Sequence, residues 1–222
     1  MAESIHAASL EARCDFVRMH TALARPTFVP EVVMYTATEI TPLWRATLSW
    51  LGSFGLDAPF WSVPWAGGQG LARWVLDHPE EVRGRRVVDF GAGSGLVGLA
   101  CLLAGAESVR AIDVDPLSEA ACHLNAGANH VTLELTCRDV VGSTIEADLL
   151  VAGDVWYERE ASARFEPWLR TVARSGVRVV TADPGRAYVP SKANELARLR
   201  VPTTQDLESS DARVTRVLEI EG

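Results

Sequence analysis

A short apolar run that leads into three closely spaced glycines constrains the fold of this chain more than any other feature. Residues 87–96 read Val-Val-Asp-Phe-Gly-Ala-Gly-Ser-Gly-Leu, which predicts a buried strand, a tight turn and the start of a helix. Glycine accepts positive φ and has no Cβ, so such a turn lets a ligand approach the backbone closely. The helix that follows presents its free N–H groups to the same place. The segment therefore predicts a binding site for a nucleotide-like ligand.

Two positions around this turn distinguish between kinds of nucleotide. A dinucleotide-binding fingerprint has Gly or Ala where this chain has Leu96, and an acid at Asp89 would repel a pyrophosphate. The spacing acid–x–Gly–x–Gly–x–Gly, with Asp89 as the acid, is similar to motif I of the class I S-adenosylmethionine-dependent methyltransferases. The resemblance implies that Asp89 helps to hold the ammonium group of the cofactor, with Gly91 and Gly93 at the turn. We therefore expect S-adenosylmethionine as the cofactor.

A second acid supports this interpretation. Residues 109–112 predict another buried strand, which ends at Asp113. In a nucleotide-binding βαβ unit, an acid about 20 residues past the glycine turn accepts hydrogen bonds from the ribose hydroxyls. The alternative is that Asp113 caps the helix that begins near Pro116, although Asp115 is as well placed to do so.

Composition limits the partners that this chain can have. The 222 residues carry a formal net charge of −8 with scattered arginines, whereas nucleic-acid binders have a basic footprint. An acidic protein suits a cationic substrate instead. The cysteines and histidines lack metal-ligand spacing, which predicts no metal site, and no apolar run is long enough to span a bilayer. We expect a cytoplasmic monomer without nucleic-acid or membrane partners.

The pattern of the chain divides it into two parts. Residues 1–80 predict an N-terminal extension, with a Trp-rich segment from Trp44 to Trp74 that packs on the cofactor pocket. Residues 81–222 predict a methyltransferase domain, because strands and helices alternate as in a parallel sheet covered on both faces. The predicted strands are Val87–Phe90, Val109–Ile112, Thr132–Thr136, Leu149–Ala152 and Arg178–Thr181. The predicted helices are Leu96–Leu103, Leu117–Asn129, Ala161–Ala173 and Lys192–Leu199.

The tail predicts a closing hairpin of two strands, Val201–Leu207 and Ala212–Ile220. A hairpin at this place fits the seven-stranded methyltransferase sheet. The predicted fold class is therefore α/β, a Rossmann-like class I methyltransferase fold. We expect a seven-stranded, mostly parallel sheet with helices on both faces and a C-terminal antiparallel hairpin.

Each of five successive strands is followed by an aspartate. In open α/β sheets ligands bind at the C-terminal ends of the strands, so these acids are expected to face one site. They are Asp89, Asp113, Asp139, Asp154 and Asp183. Asp139 is placed to accept a hydrogen bond from the adenine amino group of the cofactor, or else it is a turn former at a strand exit.

The end of the fourth predicted strand indicates what is methylated. Residues 153–157 read Gly-Asp-Val-Trp-Tyr, without the prolines typical of enzymes that methylate base amino groups and without the Pro-Cys of pyrimidine-carbon methyltransferases. An amine must attack in its neutral form, and desolvation beside a sulfonium favours loss of its proton. Asp154 is expected to orient the amine beside the cofactor, while Trp156 and Tyr157 line a slot by cation–π contact. The alternative is that both rings pack under the next helix.

Longer motifs point to a narrower family. Residues 60–71 read Phe-Trp-Ser-Val-Pro-Trp-Ala-Gly-Gly-Gln-Gly-Leu, residues 113–116 Asp-Val-Asp-Pro, residues 124–126 Leu-Asn-Ala and residues 182–186 Ala-Asp-Pro-Gly-Arg. Together with the glycine turn and residues 153–157, these motifs resemble the lysine methyltransferases of the electron transfer flavoprotein β-subunit, including their bacterial members. Eukaryotic members of that family usually have Phe where this chain has Trp156, a difference that affects the width of the lysine slot.

The resemblance implies roles for particular residues. Trp65, Gly67 and Gln69 would form the N-terminal wall of the cofactor pocket, and Asp154 with Tyr157 would face the substrate. Read without the family, Trp65 fits either a core helix face or a loop over adenine, whereas paired glycines at 67 and 68 favour a pocket.

The predicted function is an S-adenosylmethionine-dependent protein-lysine N-methyltransferase that acts on the electron transfer flavoprotein β-subunit. The alternatives are a small-amine, nicotinamide-like N-methyltransferase and a non-catalytic S-adenosylmethionine-binding protein. A nicotinamide-dependent oxidoreductase is more remote, because Leu96 and Asp89 do not suit it. Arg186 fits either an acidic surface of the substrate or an ion pair with Asp183.

Overall fold

The computed structural model describes residues 4–38, 59–203 and 210–222. The start of the Trp-rich segment and the end of the predicted strand Val201–Leu207 lie outside the described residues. The helices are α1 (Leu10–His20), α2 (Ala66–Asp77), α3 (Leu96–Leu103), α4 (Pro116–Ala128) and α5 (Arg159–Arg174). The strands are β1 (Ala22–Ala24), β2 (Met34–Thr36), β3 (Arg86–Phe90), β4 (Ser108–Asp113), β5 (Glu134–Cys137), β6 (Leu149–Gly153), β7 (Arg178–Asp183), β8 (Asn194–Pro202) and β9 (Ala212–Glu219).

Seven of these strands form one sheet in the order β5-β4-β3-β6-β7-β9-β8, and β1 pairs with β2 in a separate ribbon. Strands β3 to β7 run parallel, whereas β9 is antiparallel to both β7 and β8. The strand order reverses beside β3, where β4 lies on one side and β6 on the other. Ligands bind at the C-terminal strand ends next to such a reversal. The predicted seven-stranded sheet with a C-terminal antiparallel hairpin is confirmed.

Helices cover both faces of the sheet, which explains why its inner strands are continuously apolar. Neighbouring residues of β3 alternate between the faces. Val87 packs in a cluster with Leu71 of α2 and Leu99 of α3, while Val88 packs in a second cluster with Leu169 of α5. All five side chains are nearly inaccessible to solvent, and each such burial contributes about 1.5–3 kcal/mol. This two-sided packing fixes the positions of the strand ends that carry the site.

Two turns bring helices to those strand ends. Pro116 stands at the start of α4, and Asp115 caps it by accepting a hydrogen bond at 2.8 Å from the Leu117 N–H. The cap therefore belongs to Asp115 and not to Asp113. Helix α3 begins after Gly95, whose φ of 79° lies in the left-handed region that favours glycine.

The N-terminal residues pack against helix α4. Phe16 of α1 and Leu117 of α4 belong to one buried cluster. The ribbon of β1 and β2 is fastened by Asn125, whose Oδ1 accepts from the Tyr35 N–H at 2.7 Å and whose Nδ2 donates to the Ser94 carbonyl at 2.9 Å. One side chain thus joins the ribbon to the glycine turn. The domain boundary at residue 80 stays a prediction, and helix α2, which precedes it, shares the core of the sheet.

The predicted helix Lys192–Leu199 is wrong. Asn194–Pro202 form strand β8, which pairs with β9 at the edge of the sheet. The Glu, Leu, Ala and Arg residues of this segment have high helix propensity, but the hydrogen bonds to β9 outweigh that preference. The first strand of the hairpin consequently begins earlier than the sequence predicts.

In the described part of the chain, no helix combines the length and the apolar character needed to cross a bilayer. The same residues contain no group of three or more His, Cys, Asp and Glu side chains arranged to hold a metal ion.

Candidate active site

A cavity of about 630 Å³ opens at the C-terminal ends of the parallel strands. Four of the five predicted strand-end acids line it, and they are Asp89, Asp113, Asp139 and Asp154. Of the other predicted site residues, Trp65, Gly91, Gly93 and Tyr157 also line it. Gly67, Gln69 and Trp156 lie behind the wall of this cavity, as described below.

Asp89 lies at the floor of the cavity at the end of β3. Its side chain is 1% exposed, and its Oδ2 accepts a hydrogen bond at 2.8 Å from the Gly98 N–H in α3. Burial raises the pKa of Asp89 to about 7, although the Gly98 hydrogen bond lowers it, and the nearby Asp113 carboxylate adds a small increase. A cationic group bound here would stabilise the ionised form. The position therefore suits the ammonium group that the sequence predicts for it.

The glycine turn is held by Asp113 at the end of β4. Asp113 Oδ2 accepts from the Gly93 N–H at 2.8 Å, and Oδ1 accepts from the Asp115 N–H at 3.0 Å. Gly91 and Gly93 have φ values of 65° and 53°, which only glycine adopts at little cost. Burial raises the pKa of Asp113, while these backbone donors lower it. The predicted ribose acid therefore also braces the turn to which the nucleoside would bind.

Asp139 follows β5 at the rim of the cavity. Its Oδ1 accepts from the Val141 N–H at 2.9 Å, as in a turn, and its Oδ2 pairs with Arg164 at 2.6 Å. The hydrogen bond from Arg164 keeps the pKa of this carboxyl below its usual range. Asp139 is thus a turn former, as one interpretation of the sequence predicts. It also lines the cavity, where an acceptor for the adenine amino group has to lie.

Asp154 follows β6 and joins three parts of the site. Its Oδ2 accepts from the Gly68 N–H at 2.7 Å, at the start of α2, and its Oδ1 accepts from Arg186 Nη2 at 2.8 Å. Its φ is 58°, in the left-handed region. Burial raises the pKa of Asp154 to about 6, while the Arg186 guanidinium and the Gly68 N–H lower it. Above pH 6 the site therefore presents a buried carboxylate.

The two aromatic residues that follow Asp154, Trp156 and Tyr157, lie in different surroundings. Tyr157 is 50% exposed at the mouth of the cavity. Trp156 is 0% exposed, belongs to the core under α5, and donates from Nε1 to Thr181 Oγ1 at 2.8 Å. The prediction that Trp156 lines the lysine slot is therefore wrong, because its ring fills the core and its one donor is already used. Of the two rings, only Trp156 packs under the next helix, which the alternative interpretation predicts for both.

An aromatic rim surrounds the mouth of the cavity; we use this name for Phe60, Trp65 and Tyr157. The Phe60 ring lies 5.2 Å from that of Tyr157 and 6.1 Å from that of Trp65. Trp65 Nε1 donates to the Phe60 carbonyl at 2.8 Å, which fixes the segment between them. Trp61, four residues before Trp65, is fully buried with α1 and α4. The tryptophan pair therefore divides into one core residue and one cavity residue.

Gly67 and Gln69 support the wall of the cavity without facing it. A Cβ at Gly67 would lie 2.5 Å from Asp154 Oδ2 and 2.7 Å from the Ala182 carbonyl, so only glycine allows α2 to approach the strand ends. Gln69 is buried, donates to the Pro64 carbonyl at 2.7 Å and accepts from the Phe28 N–H at 3.2 Å. The wall assignment of both residues is corrected accordingly: they hold the segment that carries Trp65.

Three residues that line the cavity were not placed there from the sequence. His6 lines the cavity from the N-terminal turn Ile5–Ala7, and no motif marks it. Phe60 lies next to Trp61 within the Trp-rich motif, but its exposure depends on how the turn Phe60–Ser62 is oriented. Arg186 pairs mainly with Asp154, a contact between residues 32 apart that the local turn does not reveal.

The residues present fit S-adenosylmethionine. The cavity volume lies within the range of small-molecule sites, about 300–1,000 Å³. Buried Asp89 suits the ammonium group, Asp113 suits the ribose hydroxyls, and the glycine turn between them allows close approach of the backbone. Apolar Phe90 and Val140 line the remaining wall, where an adenine ring can pack.

Comparison with known proteins agrees with this geometry. Residues 74–153 match the family model described as "Ribosomal protein L11 methyltransferase (PrmA)". A solved structure of magnesium protoporphyrin IX methyltransferase from Synechocystis PCC 6803, with bound S-adenosylmethionine, superimposes with a TM-score of 0.52 at 16% identity, over 70% of this chain and 78% of that one. The fold and site define a class I methyltransferase dependent on S-adenosylmethionine, as the sequence predicts.

Two curated relatives define the family within that class. The electron transfer flavoprotein beta subunit lysine methyltransferase of Xenopus laevis is 36% identical over 180 residues, which cover 80% of this chain and 72% of that protein. The protein of the same name from Rattus norvegicus is 33% identical over 189 residues, with the same two coverages. The chain belongs to the family of electron transfer flavoprotein β-subunit lysine methyltransferases. The family predicted from the sequence motifs is confirmed.

Proposed function

We propose that this enzyme transfers methyl groups from S-adenosylmethionine to lysine side chains of the electron transfer flavoprotein β-subunit. One observation carries the proposal: a buried carboxylate, Asp154, lies beside the half-exposed Tyr157 at the open mouth of the cofactor cavity. A carboxylate at that place can accept a hydrogen bond from an amine that arrives from outside. The names of the relatives above point to the same substrate.

Each side chain contributes through position. Asp89 and Asp113 would hold the ammonium and ribose groups of the cofactor, which supplies a methyl group activated by its sulfonium. Asp154 Oδ1 accepts two hydrogen bonds from Arg186, from Nη2 at 2.8 Å and from Nε at 3.3 Å, whereas Oδ2 accepts one from the Gly68 N–H and keeps a further lone pair for the amine. Tyr157 offers its ring face to the lysine stem and to a methylated ammonium. Alignment of the amine with the methyl group supplies most of the catalysis.

The mouth of the cavity favours a protein substrate over a small amine. Phe60 is 49% exposed and Tyr157 50% exposed, and their rings are 5.2 Å apart. Such a rim can contact the methylene groups of a long side chain that enters from a protein surface. A small amine would gain little from contacts so close to solvent. The net charge of −8 also suits a partner surface rich in lysine. The cytoplasmic location, the monomeric state and the lack of a nucleic-acid partner stay predictions.

The test is a transfer assay with labelled S-adenosylmethionine and purified electron transfer flavoprotein, followed by peptide mass mapping. Label on β-subunit lysines is the expected result. Asp154→Asn should lower kcat/KM about 10- to 150-fold, the equivalent of one hydrogen bond to a charged group, about 1.5–3 kcal/mol. Tyr157→Ala should lower it several-fold or more, because cation–π contacts contribute about 0.5–2 kcal/mol.

Tyr188→Ala is the matched control for Tyr157→Ala. Tyr188 is 36% exposed and lies outside the cavity lining, so its removal should leave the rate unchanged. An unlabelled β-subunit, with cofactor binding intact by calorimetry, would contradict the proposed substrate and direct the search to small amines and ribosomal proteins. Wild-type rates for both site variants would contradict the assigned roles.

A further inference from the structure

Two buried carboxylates next to the substrate-facing end of the cavity share one guanidinium. Arg186 Nη2 lies 2.8 Å from Asp154 Oδ1, and Arg186 Nε lies 3.8 Å from Asp183 Oδ2. The Asp154 and Asp183 side chains are 9% and 0% exposed. Asp183 Oδ2 accepts no hydrogen bond from any residue that the structure describes. With both acids ionised, the group of three carries a net charge of −1.

The guanidinium is held in place from several sides. Asp183 Oδ1 accepts from the backbone N–H groups of Gly185 and Arg186 at 2.7 and 2.6 Å, which fixes the turn that carries Arg186. The Arg186 Cζ lies over the Trp65 ring, 5.9 Å from its centre, a geometry that favours a cation. Arg186 also lines the cofactor cavity. It is therefore a permanent positive charge at the place where the substrate amine enters.

This charge bears on the protonation of the amine. An amine nitrogen about 3 Å from Asp154 Oδ2, an ordinary hydrogen-bond length, lies within about 8 Å of Arg186 Nη2, since Nη2 is 2.8 Å from the other oxygen of the same carboxylate. A like charge that close in a buried site disfavours the ammonium form. Without Arg186 the amine would instead meet the Asp154 carboxylate with no cation paired to it, which favours the ammonium form, and an ammonium has no lone pair for the methyl group.

We propose that Arg186 is the positioning residue that lets Asp154 bind the lysine as a neutral amine, an inference that rests on the proposed function. Arg186 neutralises the carboxylate that would otherwise hold the substrate as an ion pair. The lysine ammonium releases one proton to water at the open mouth, which leaves a neutral amine with an electron pair on nitrogen. That pair forms the new N–C bond, while the electrons of the broken C–S bond stay on sulfur.

Other charged and titratable groups near this cluster also affect the pKa values of its members and neighbours. Arg216 faces Asp183 from β9 and lowers its pKa, against the larger effect of burial. Asp113 and Glu158 raise the pKa of Tyr157, after burial, while Arg186 lowers it. Because the pKa of Asp154 is about 6, this carboxylate stays ionised in the wild type between pH 7 and 10. Arg186 lowers that pKa and Asp183 raises it, so Arg186→Gln raises the pKa of Asp154 too, whereas Asp183→Asn lowers it further. A shifted midpoint in Asp183→Asn therefore reports on the substrate amine and not on Asp154.

The test is the pH dependence of kcat with electron transfer flavoprotein as substrate. In the wild type kcat should rise with pH to a plateau. In Arg186→Gln the midpoint should lie about 1–2 pH units higher, the size of shift that one neighbouring charge produces. Below the midpoint, kcat of the variant should thus be about 10- to 100-fold lower than kcat of the wild type, and the difference should disappear as the pH is raised. Arg186→Lys, which keeps the charge, should keep the wild-type midpoint.

Asp183→Asn should move the midpoint in the opposite direction, to lower pH, because one of the two carboxylates becomes neutral. Arg198→Gln is the control: it removes an equal charge from β8, where Arg198 pairs with exposed Glu195 at 2.9 Å, and its profile should match the wild type. Calorimetry with S-adenosylhomocysteine at pH 8 checks that each variant folds. If Arg186→Gln does not fold, the unchanged midpoint expected of Arg186→Lys and the lowered midpoint expected of Asp183→Asn still decide.

If Arg186→Gln lowers kcat by the same factor at every pH and the midpoint does not change, the inference is overturned and Arg186 has a structural role only. An unshifted or upward-shifted midpoint in Asp183→Asn would do the same. These outcomes require an active wild type. A wild type that labels no lysine would instead overturn the proposed function itself.

Discussion

Replacing Asp89 by Asn removes one buried charge from the floor of the cofactor cavity and preserves the acceptor for the Gly98 N–H. Because burial raises the pKa of Asp89 to about 7, the cofactor-free protein holds a proton on this carboxyl below pH 7. A cationic ammonium group binds the ionised form, so that proton must leave before binding. Cofactor affinity should therefore fall as the pH falls through 7.

The magnitude follows from the ionised fraction. At pH 6, one unit below the pKa of about 7, about one carboxyl in ten is ionised, so the wild-type Kd should be about tenfold weaker than at pH 8. Asp89→Asn should bind about 10- to 150-fold more weakly at pH 8, since a hydrogen bond to a charged group contributes about 1.5–3 kcal/mol. Its Kd should change little between pH 6 and 8. Calorimetric titration with S-adenosylhomocysteine at both pH values measures this.

The stability of the cofactor-free protein should rise as the pH falls, whereas its affinity for the cofactor decreases. The folded pKa of about 7 lies above the ordinary value of 3.8, so the folded state binds more protons between these values. The free energy of unfolding therefore falls as the pH rises through this window, by up to about 4 kcal/mol at about 1.36 kcal/mol per pKa unit. Without cofactor, Asp89→Asn should be the more stable protein at pH 8. A flat wild-type affinity from pH 6 to 8, or an unweakened variant, refutes the reasoning.

Three further substitutions test the supports of the site by urea unfolding. Gly67→Ala should lower the free energy of unfolding by about 1–3 kcal/mol, because the added Cβ would lie 2.5 Å from a carboxylate oxygen; Gly68→Ala, with no described heavy atom within 4 Å of its Cβ, is its control. Asn125→Ala should cost about 2–4 kcal/mol, since one buried and one partly buried backbone group lose their hydrogen-bond partner. Trp156→Phe should cost about 2–4 kcal/mol, through the lost hydrogen bond to Thr181 and the cavity that the smaller ring leaves in the core, and should leave the KM for the lysine substrate unchanged.

Each of these has a result that would count against it. Equal stability of the two glycine variants would mean that α2 can shift away from the strand ends. A neutral Asn125→Ala would mean that water replaces the amide. A raised KM in Trp156→Phe would restore Trp156 to the lysine slot.

The sequence predicts the fold well where the determining contacts are local. Strand β3, the glycine turn and helix α3 follow one another without a gap, so apolar pattern and glycine positions are sufficient to place them. Strand β8 differs from the predicted helix Lys192–Leu199 because its backbone partners in β9 come later in the chain, whereas its own residues have high helix propensity. Intrinsic propensity was the only guide there, and tertiary pairing overrides it.

For the site, too, the sequence predicts the residues whose positions depend on local structure and misses those that depend on tertiary contacts. Asp89 and Asp113 could be placed from spacing alone, because a parallel strand sends its last residue to the same edge of the sheet. The opposite burial of Trp156 and Tyr157 could not be predicted, because the two rings are adjacent in the chain and no local pattern shows which of them enters the core. The pairing of Arg186 with Asp154 joins the ends of two neighbouring strands. No pattern within either segment shows whether Arg186 pairs with Asp154 or with Asp183.

The φ of 58° at Asp154 restricts the residues that evolution or design can place at this position. Among amino acids with a side chain, Asp and Asn tolerate the left-handed region best, and Gly adopts it freely. Glu would keep the charge but meet the backbone cost of roughly 1 kcal/mol or more, and its extra methylene would enter space that Gly67 leaves just wide enough for Asp. A library at position 154 should therefore yield folded protein mainly as Asp, Asn or Gly. Among these three, Asp alone keeps the carboxylate.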